Sequence, residues 1–321
     1  MKSPTRPDLR RDGIKGFFSV LLVMLLAPWA VSQNRQTTPP RSANQNDVVE
    51  LRSDLVTVTA TIVMPNGALV TDLHQEDFEL LEDGVAQRIV TFSSQAKLPL
   101  ALVMIFDVSE SVRHRLQFEK DAASRFFRSI MRPVDRASIV AVSTDVTIQQ
   151  KFTSDAGQLA SAIGRMQAEG TTALYDAIVE AAELLRYEDG RRVIVVLSDG
   201  KDIISRASLL EALRRAQEAD AVIYAVNTSG RPVSANDRDL AGERALETMA
   251  NRTGGEVFFP NRLEELDPVF ARLAEQLRTQ YVIGYSSSNT ARDGSYRRIA
   301  LRVKREGAYA RARQGYYAPK K

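Results

Sequence analysis

The sequence predicts an α/β protein, in which a doubly wound, mostly parallel sheet is inserted into a small all-β sandwich-like domain built from the N- and C-terminal segments. Three observations predict it. Residues 98–280 alternate β-rich apolar runs with segments of helical period, the pattern of a sheet covered by helices on both faces. Two of the runs, Leu100–Phe106 and Val193–Leu197, are apolar throughout, as expected of strands buried on both faces. The flanking segments read as short strands and turns of opposite charge: residues 47–92 carry nine acids and two basics, and residues 281–321 carry ten basics and two acids. Neither is long enough to close a core alone, so the two are expected to pair.

Taken in order, residues 1–32 have the form of a secretory signal. A basic n-region precedes the apolar run Phe17–Val31, and Ala30-Val31-Ser32 offers small residues for cleavage. The run is shorter than the roughly 20 residues a spanning helix wants, so no transmembrane span is expected in the mature chain. An uncleaved anchor is the alternative; export, to the periplasm or beyond the cell, follows from both. Residues 33–46, rich in Gln, Asn, Thr, Pro and Ser, read as a disordered linker.

The first β part spans 47–96. Leu55–Val63 is β-branched and alternating, and Pro65-Asn66-Gly67 and Asp83-Gly84 are turns, the second joining Phe78–Leu81 to Ile89–Phe92. The α/β domain spans 97–279, with strands expected at 100–106, 138–143, 146–152, 192–197, 221–226 and 256–259. Helices are expected at 114–130, 155–166, 173–186, 208–219, 239–252 and 263–278. The link Ser143–Val146 is too short for a crossover, which predicts an antiparallel hairpin at a sheet edge. The second β part, 280–318, holds strands at Gln280–Tyr285, Arg297–Val303 and around Tyr309–Tyr317. Its residues Arg297, Arg298, Arg302, Lys304 and Arg305 alternate with apolar positions, as on a strand with one wet face or one paired with the acidic segment. Tyr281, Tyr285, Tyr316 and Tyr317 read as sheet packing.

Composition removes several functions. There is no cysteine, hence no disulfide, thiolate metal site or cysteine nucleophile. The two histidines, His74 and His114, stand in unlike contexts and give no zinc or Ser-His site. The net charge of +3 belongs to the leader; beyond residue 32 the chain has 38 basic and 38 acidic residues, so its charge gives no case for nucleic acid.

The chemistry collects where the apolar strands end. Asp107, Ser109 and Ser111 follow the first buried strand, on the side of the sheet where open α/β folds place their ligands. A second loop, 170–176, carries Thr171, Thr172 and Asp176, and a third brings Asp199 and Asp202 after Leu197. Carboxylate and hydroxyl oxygens are hard donors that suit Mg²⁺, with Mn²⁺ or Ca²⁺ as alternatives. An incomplete protein shell leaves the cation a position for an incoming carboxylate.

The segments FDVSES, GTTALYDAI and VVLSDGKD resemble the metal-ion-dependent adhesion site (MIDAS) of von Willebrand factor A domains, whose pattern is D-x-S-x-S, then a threonine, then an aspartate. The resemblance implies metal ligation by Asp107, Ser109, Ser111, Thr172 and Asp199, with both aspartates often acting through water. Glu110 departs from the pattern, standing where glycine is frequent. The flanks resemble a family of exported bacterial VWFA-related proteins. The function implied is an exported, non-enzymatic protein-binding or adhesion module, with a protein ligand offering a carboxylate to the metal. Two alternatives stand beside it. One is a Mg²⁺-dependent phosphoryl-transfer enzyme of haloacid-dehalogenase type, which wants an acid where Ser109 stands. The other is a structural cell-envelope component with a vestigial site. No P-loop motif is present.

Overall fold

A computed structural model describes residues 55–94, 98–229 and 237–320. The expected signal segment, 1–32, and linker, 33–46, lie outside the described residues.

The chain begins with strands β1 (Leu55–Val63), β2 (Phe78–Glu82), β3 (Val85–Gln87) and β4 (Ile89–Ser93). The α/β part follows as β5 (Leu100–Asp107), α1 (Leu116–Ile130), β6 (Arg136–Val142), β7 (Val146–Thr153), α2 (Ala156–Arg165), α3 (Leu174–Arg186), β8 (Arg191–Leu197), α4 (Leu209–Glu218), β9 (Ala221–Val226), α5 (Asp237–Thr253), β10 (Val257–Phe258) and α6 (Leu266–Thr279). Four strands close it: β11 (Tyr281–Ser286), β12 (Tyr296–Val303), β13 (Tyr309–Ala312) and β14 (Gly315–Tyr317).

The six-stranded sheet runs β10-β9-β8-β5-β6-β7. Only the β6–β7 pair is antiparallel, and β7 is the edge, as the three-residue link between them requires. Every residue of β5 is buried because both faces of the sheet are covered. Leu100, Leu102, Met104 and Phe106 pack under α1 and α6 with Phe126, Phe127, Phe270 and Leu273. Ala101, Val103 and Ile105 face the other way, toward α3, α4 and α5. This is the period-two alternation of a strand resolved onto two hydrophobic layers.

The terminal segments form two four-stranded antiparallel sheets, β13-β1-β11-β4 and β14-β12-β2-β3, each mixing strands from before and after the α/β part. Their shared core holds Val58, Ile62, Phe78, Leu80, Tyr281, Ile283 and Tyr285. The opposite charges meet as expected: β12 lies antiparallel to β2, with Arg302 facing Glu79 at 3.3 Å and Arg305 facing Asp72 at 2.6 Å. Arg297 departs from the wet-face expectation. It shares the inward face with Ile299 and is buried against Glu82 at 3.5 Å. Two of the tyrosines are more than packing, since Tyr285 and Tyr316 both donate their hydroxyls to Glu82.

Candidate functional site

Strands β5 and β8 run side by side in parallel, with Phe106 opposite Leu197, so their C-terminal loops open next to each other. The chain leaves β5 for α1 on one face and β8 for α4 on the other. That divergence is a topological switch point, where the loops part and leave a crevice.

Asp107 ends β5 with its carboxylate buried. Its Oδ1 accepts from the Ser109 backbone N–H at 2.9 Å and its Oδ2 from the Ser198 hydroxyl at 2.8 Å. Ser109 Oγ lies 3.0 Å from Ser111 Oγ, the first buried and the second exposed. This loop is tied to the next, because the Glu110 N–H donates to Gly170 O at 3.0 Å and the Glu169 N–H to Val108 O at 2.7 Å. Gly170 has φ +69°, and a side chain there would run into Thr144. Thr172 is buried, and its carbonyl accepts from the Ile203 N–H at 2.9 Å. Asp199 is buried beyond the end of β8, with Lys201 Nζ 3.0 Å from its Oδ2. Gly200, at φ +81°, passes so close to the carbonyl of Gly242 on α5 that no side chain fits.

All three expected segments therefore meet at one edge. Hydrogen bonds join Asp107 to Ser109 and Ser109 to Ser111; Thr172 and Asp199 are linked to them through loop neighbours. Asp176 and Asp202, the remaining acids of these loops, accept from backbone, and Asp202 also from the Ser205 hydroxyl. Asp176 accepts from the Arg206 and Ala207 N–H groups at 3.0 and 2.9 Å, and Asp202 from the Tyr175 N–H at 3.1 Å. They brace the second and third loops against each other. Glu110 is exposed and gripped by Arg113 at 2.6 Å, and His114 is exposed.

Burial pushes the Asp107 carboxyl up, and the negative charge of Asp199 adds to the push. Lys201 answers part of this: its ammonium also meets Asp239 of α5 at 2.6 Å. Sequence reasoning assigned no role to Ser198, Lys201 or Asp239. Ser198 and Lys201 flank Asp199, so proximity to a strand-end acid was their signal; Asp239 had none. Glu119 on α1 was also missed. It is buried beside Arg115 at 3.2 Å, and burial raises its carboxyl to about 7. An Arg and Glu four residues apart on a helix read as a solvent-facing pair. Among the described residues no group of three or more His, Cys, Asp or Glu is placed to hold a metal ion. The edge offers two carboxylates and a set of hydroxyls instead.

The α/β part, a mostly parallel doubly wound sheet with a D-x-S-x-S loop at its switch point, is similar to von Willebrand factor type A domains. The family model of that domain matches residues 102–201. Curated relatives are UPF0353 proteins of Mycolicibacterium vanbaalenii, 26% identical over 220 residues, and Mycolicibacterium gilvum, 24% identical over 225 residues. Each match takes in 60% of this chain and spans 65% of the relative's own length. Similar solved structures include a von Willebrand factor type A protein from Catenulispora acidiphila, with 15% identity, TM-score 0.48, and coverage of 84% of this chain and 75% of that one. Another is the conserved hypothetical protein BatB from Bacteroides thetaiotaomicron, with 17% identity, TM-score 0.45, and coverage of 56% and 100%. No helix among the described residues is long and apolar enough to cross a membrane.

Proposed function

We propose that this chain is an exported, non-enzymatic protein-binding module whose A domain holds a divalent cation, Mg²⁺ in the first instance, at Asp107, Ser109, Ser111, Thr172 and Asp199. The observation that carries the reading is the donor set: two buried aspartates and three hydroxyl residues, all hard oxygen donors, on three hydrogen-bonded loops at one switch point. When bound, the cation supplies an open coordination position for a carboxylate on a partner protein. Asp107, with both oxygens already accepting hydrogen bonds, orients the serine loop and contributes charge. Ser109 and Ser111 present adjacent hydroxyls toward the rim. The apolar run with its basic n-region supports export.

The test is thermal unfolding with Mg²⁺, followed by capture of partners from envelope extract with and without EDTA. The reading expects a saturable rise in Tm for the wild type and a fall of at least tenfold in Mg²⁺ affinity for Asp107→Asn. Capture that survives EDTA overturns the metal-bridged mode. Metal-dependent phosphatase turnover lost in Asp107→Asn overturns the non-enzymatic reading.

A further inference from the structure

The loop that carries Asp199 does more than end β8. It continues as Asp202-Ile203-Ile204-Ser205-Arg206 before α4 begins, and it leaves both isoleucines in solvent, Ile203 63% exposed and Ile204 41%. Among the described residues this is the only place where two exposed large apolar side chains are adjacent in sequence. Exposed apolar residues scattered singly are ordinary, but a branched pair side by side is a patch of the kind that marks contact sites.

The backbone under the pair is held on both sides. The Ile203 and Ile204 N–H groups both donate to the Thr172 carbonyl, at 2.9 and 3.4 Å. Before them, Asp202 Oδ1 accepts from the Tyr175 N–H at 3.1 Å and from the Ser205 hydroxyl. After them, Asp176 accepts from the Arg206 and Ala207 N–H groups, and the Asp176 N–H donates to Ser205 Oγ at 3.1 Å. The segment is thus knitted onto the second loop and the first turn of α3. Little backbone freedom remains for a partner to remove, which favours a binding anchor over a loose loop residue.

Position and charge say what the anchor meets. The carbonyl that holds both isoleucines belongs to Thr172, and the strand end that leads into them supplies Asp199, two of the proposed cation ligands. An apolar group docked here therefore lies beside the coordination position left for a carboxylate. Arg206, exposed two residues beyond Ile204, adds positive charge on the same loop. A partner surface suited to this neighbourhood is acidic and apolar at once.

We propose that Ile203 and Ile204 form the apolar half of the partner site, so that the chain selects a protein segment in which a carboxylate is flanked by branched apolar side chains. The inference rests on the cation reading above and adds to it a selectivity that a bare metal–carboxylate bond lacks.

The test uses the whole protein with isoleucine-methyl labels and synthetic, end-blocked peptides Gly-X-Asp-X-Gly, in which X is serine or leucine. A third peptide is the leucine one with asparagine in place of aspartate. NMR titrations are run in Mg²⁺ and in EDTA. In Mg²⁺ the leucine peptide should bind on the order of tenfold tighter than the serine peptide, the yield of burying about two methylene groups, and should shift the Ile203 and Ile204 methyls. Ile203→Ser/Ile204→Ser, whose replaced side chains face solvent, should erase that preference while keeping the Mg²⁺-induced rise in Tm. Equal affinity of the serine and leucine peptides, equal binding of the asparagine peptide, or a preference that survives the double variant overturns the inference and leaves the cation reading standing. A preference that persists in EDTA and disappears in the double variant upholds the apolar anchor and overturns the metal-bridged mode. Binding of no peptide overturns the inference, and the Mg²⁺ titration of Tm then judges the cation site separately.

Discussion

Truncating Glu82 tests whether the two terminal segments are locked together by one buried ion pair or by backbone pairing alone. Glu82 is 2% exposed and Arg297 3%, so water cannot replace what either loses. Glu82 Oε2 accepts from the Tyr285 hydroxyl at 2.6 Å and the Tyr316 hydroxyl at 3.0 Å, and its Oε1 accepts from Ser287 and faces Arg297 at 3.5 Å. Glu82→Ala therefore strands a buried guanidinium and three hydroxyl donors. Removing one partner of such a pair costs about 3–5 kcal/mol, out of a typical stability of about 5–15 kcal/mol. For a unit of this size that is a Tm drop of roughly 6–20 °C. The double variant Glu82→Leu/Arg297→Met removes the stranded charge, so it should recover part of the loss. The exposed pair supplies the contrast: Arg302→Ala, opposite Glu79, should cost about 1 kcal/mol or less. Urea and thermal unfolding read all four proteins. If Glu82→Ala stays within about 1 kcal/mol of wild type, or the double variant recovers none of the loss, the pair is not what holds the segments.

Three further outcomes follow from charged groups of the α/β part. Lys201 competes for Asp199 as a tethered cation, so Lys201→Met should tighten Mg²⁺ binding, on the order of tenfold at neutral pH; unchanged or weaker affinity by calorimetry refutes the competition. Glu119 holds its proton more tightly folded, near 7, than at its ordinary 4.5. Its contribution to stability is thus full below about pH 4.5 and lost as pH climbs to about 7. Glu119→Gln should flatten the decline over that window, and an unaltered pH profile of stability counts against the assignment. Asp135 runs the other way: burial alone would raise it, but the hydrogen bonds from Arg132 and Arg278 hold it below its usual range. Its contribution is lost as pH falls below the ordinary carboxylate value, which Asp135→Asn should abolish.

The central sheet was legible because burial on both faces leaves a run such as Leu100–Phe106 with no polar residue, and the hairpin because a link of three residues cannot cross a sheet. The three site loops were legible for a related reason: a strand buried to its last residue must release its first polar groups at the rim. What was not legible depends on partners distant in sequence. Arg297 falls on the apolar face of β12 with Ile299, and its buried partner Glu82 lies about two hundred residues away on β2, which the sequence alone does not bring to it. Glu119 and Arg115 have the spacing of a surface pair, and the packing of α1 over the sheet buries them. Arg191 opens β8 as a polar residue, and its burial depends on the end of α6, where the Leu277 carbonyl and the Gln280 side chain accept from it.

The opposite character of the two sheet edges has a common electrostatic origin. Helices that cover a parallel sheet start at the C-terminal ends of its strands and finish at the N-terminal ends, so each edge collects one end of their dipoles. Acids are tolerated where helices begin, and Asp107, Asp199 and Asp239 gather there with Lys201 as their cation. Guanidiniums are tolerated where helices finish. Arg186 and Arg278 stand in last turns, and Arg191 donates to the Leu277 carbonyl near the end of α6. A helix terminus supplies only about half a unit charge, and it spreads that over several carbonyls. It can offset part of the Arg191 charge, just as Lys201 offsets part of the charge of the acids at the other edge. The acids at the tips of β5 and β8 and the guanidiniums beneath them thus follow the polarity of one dipolar sheet.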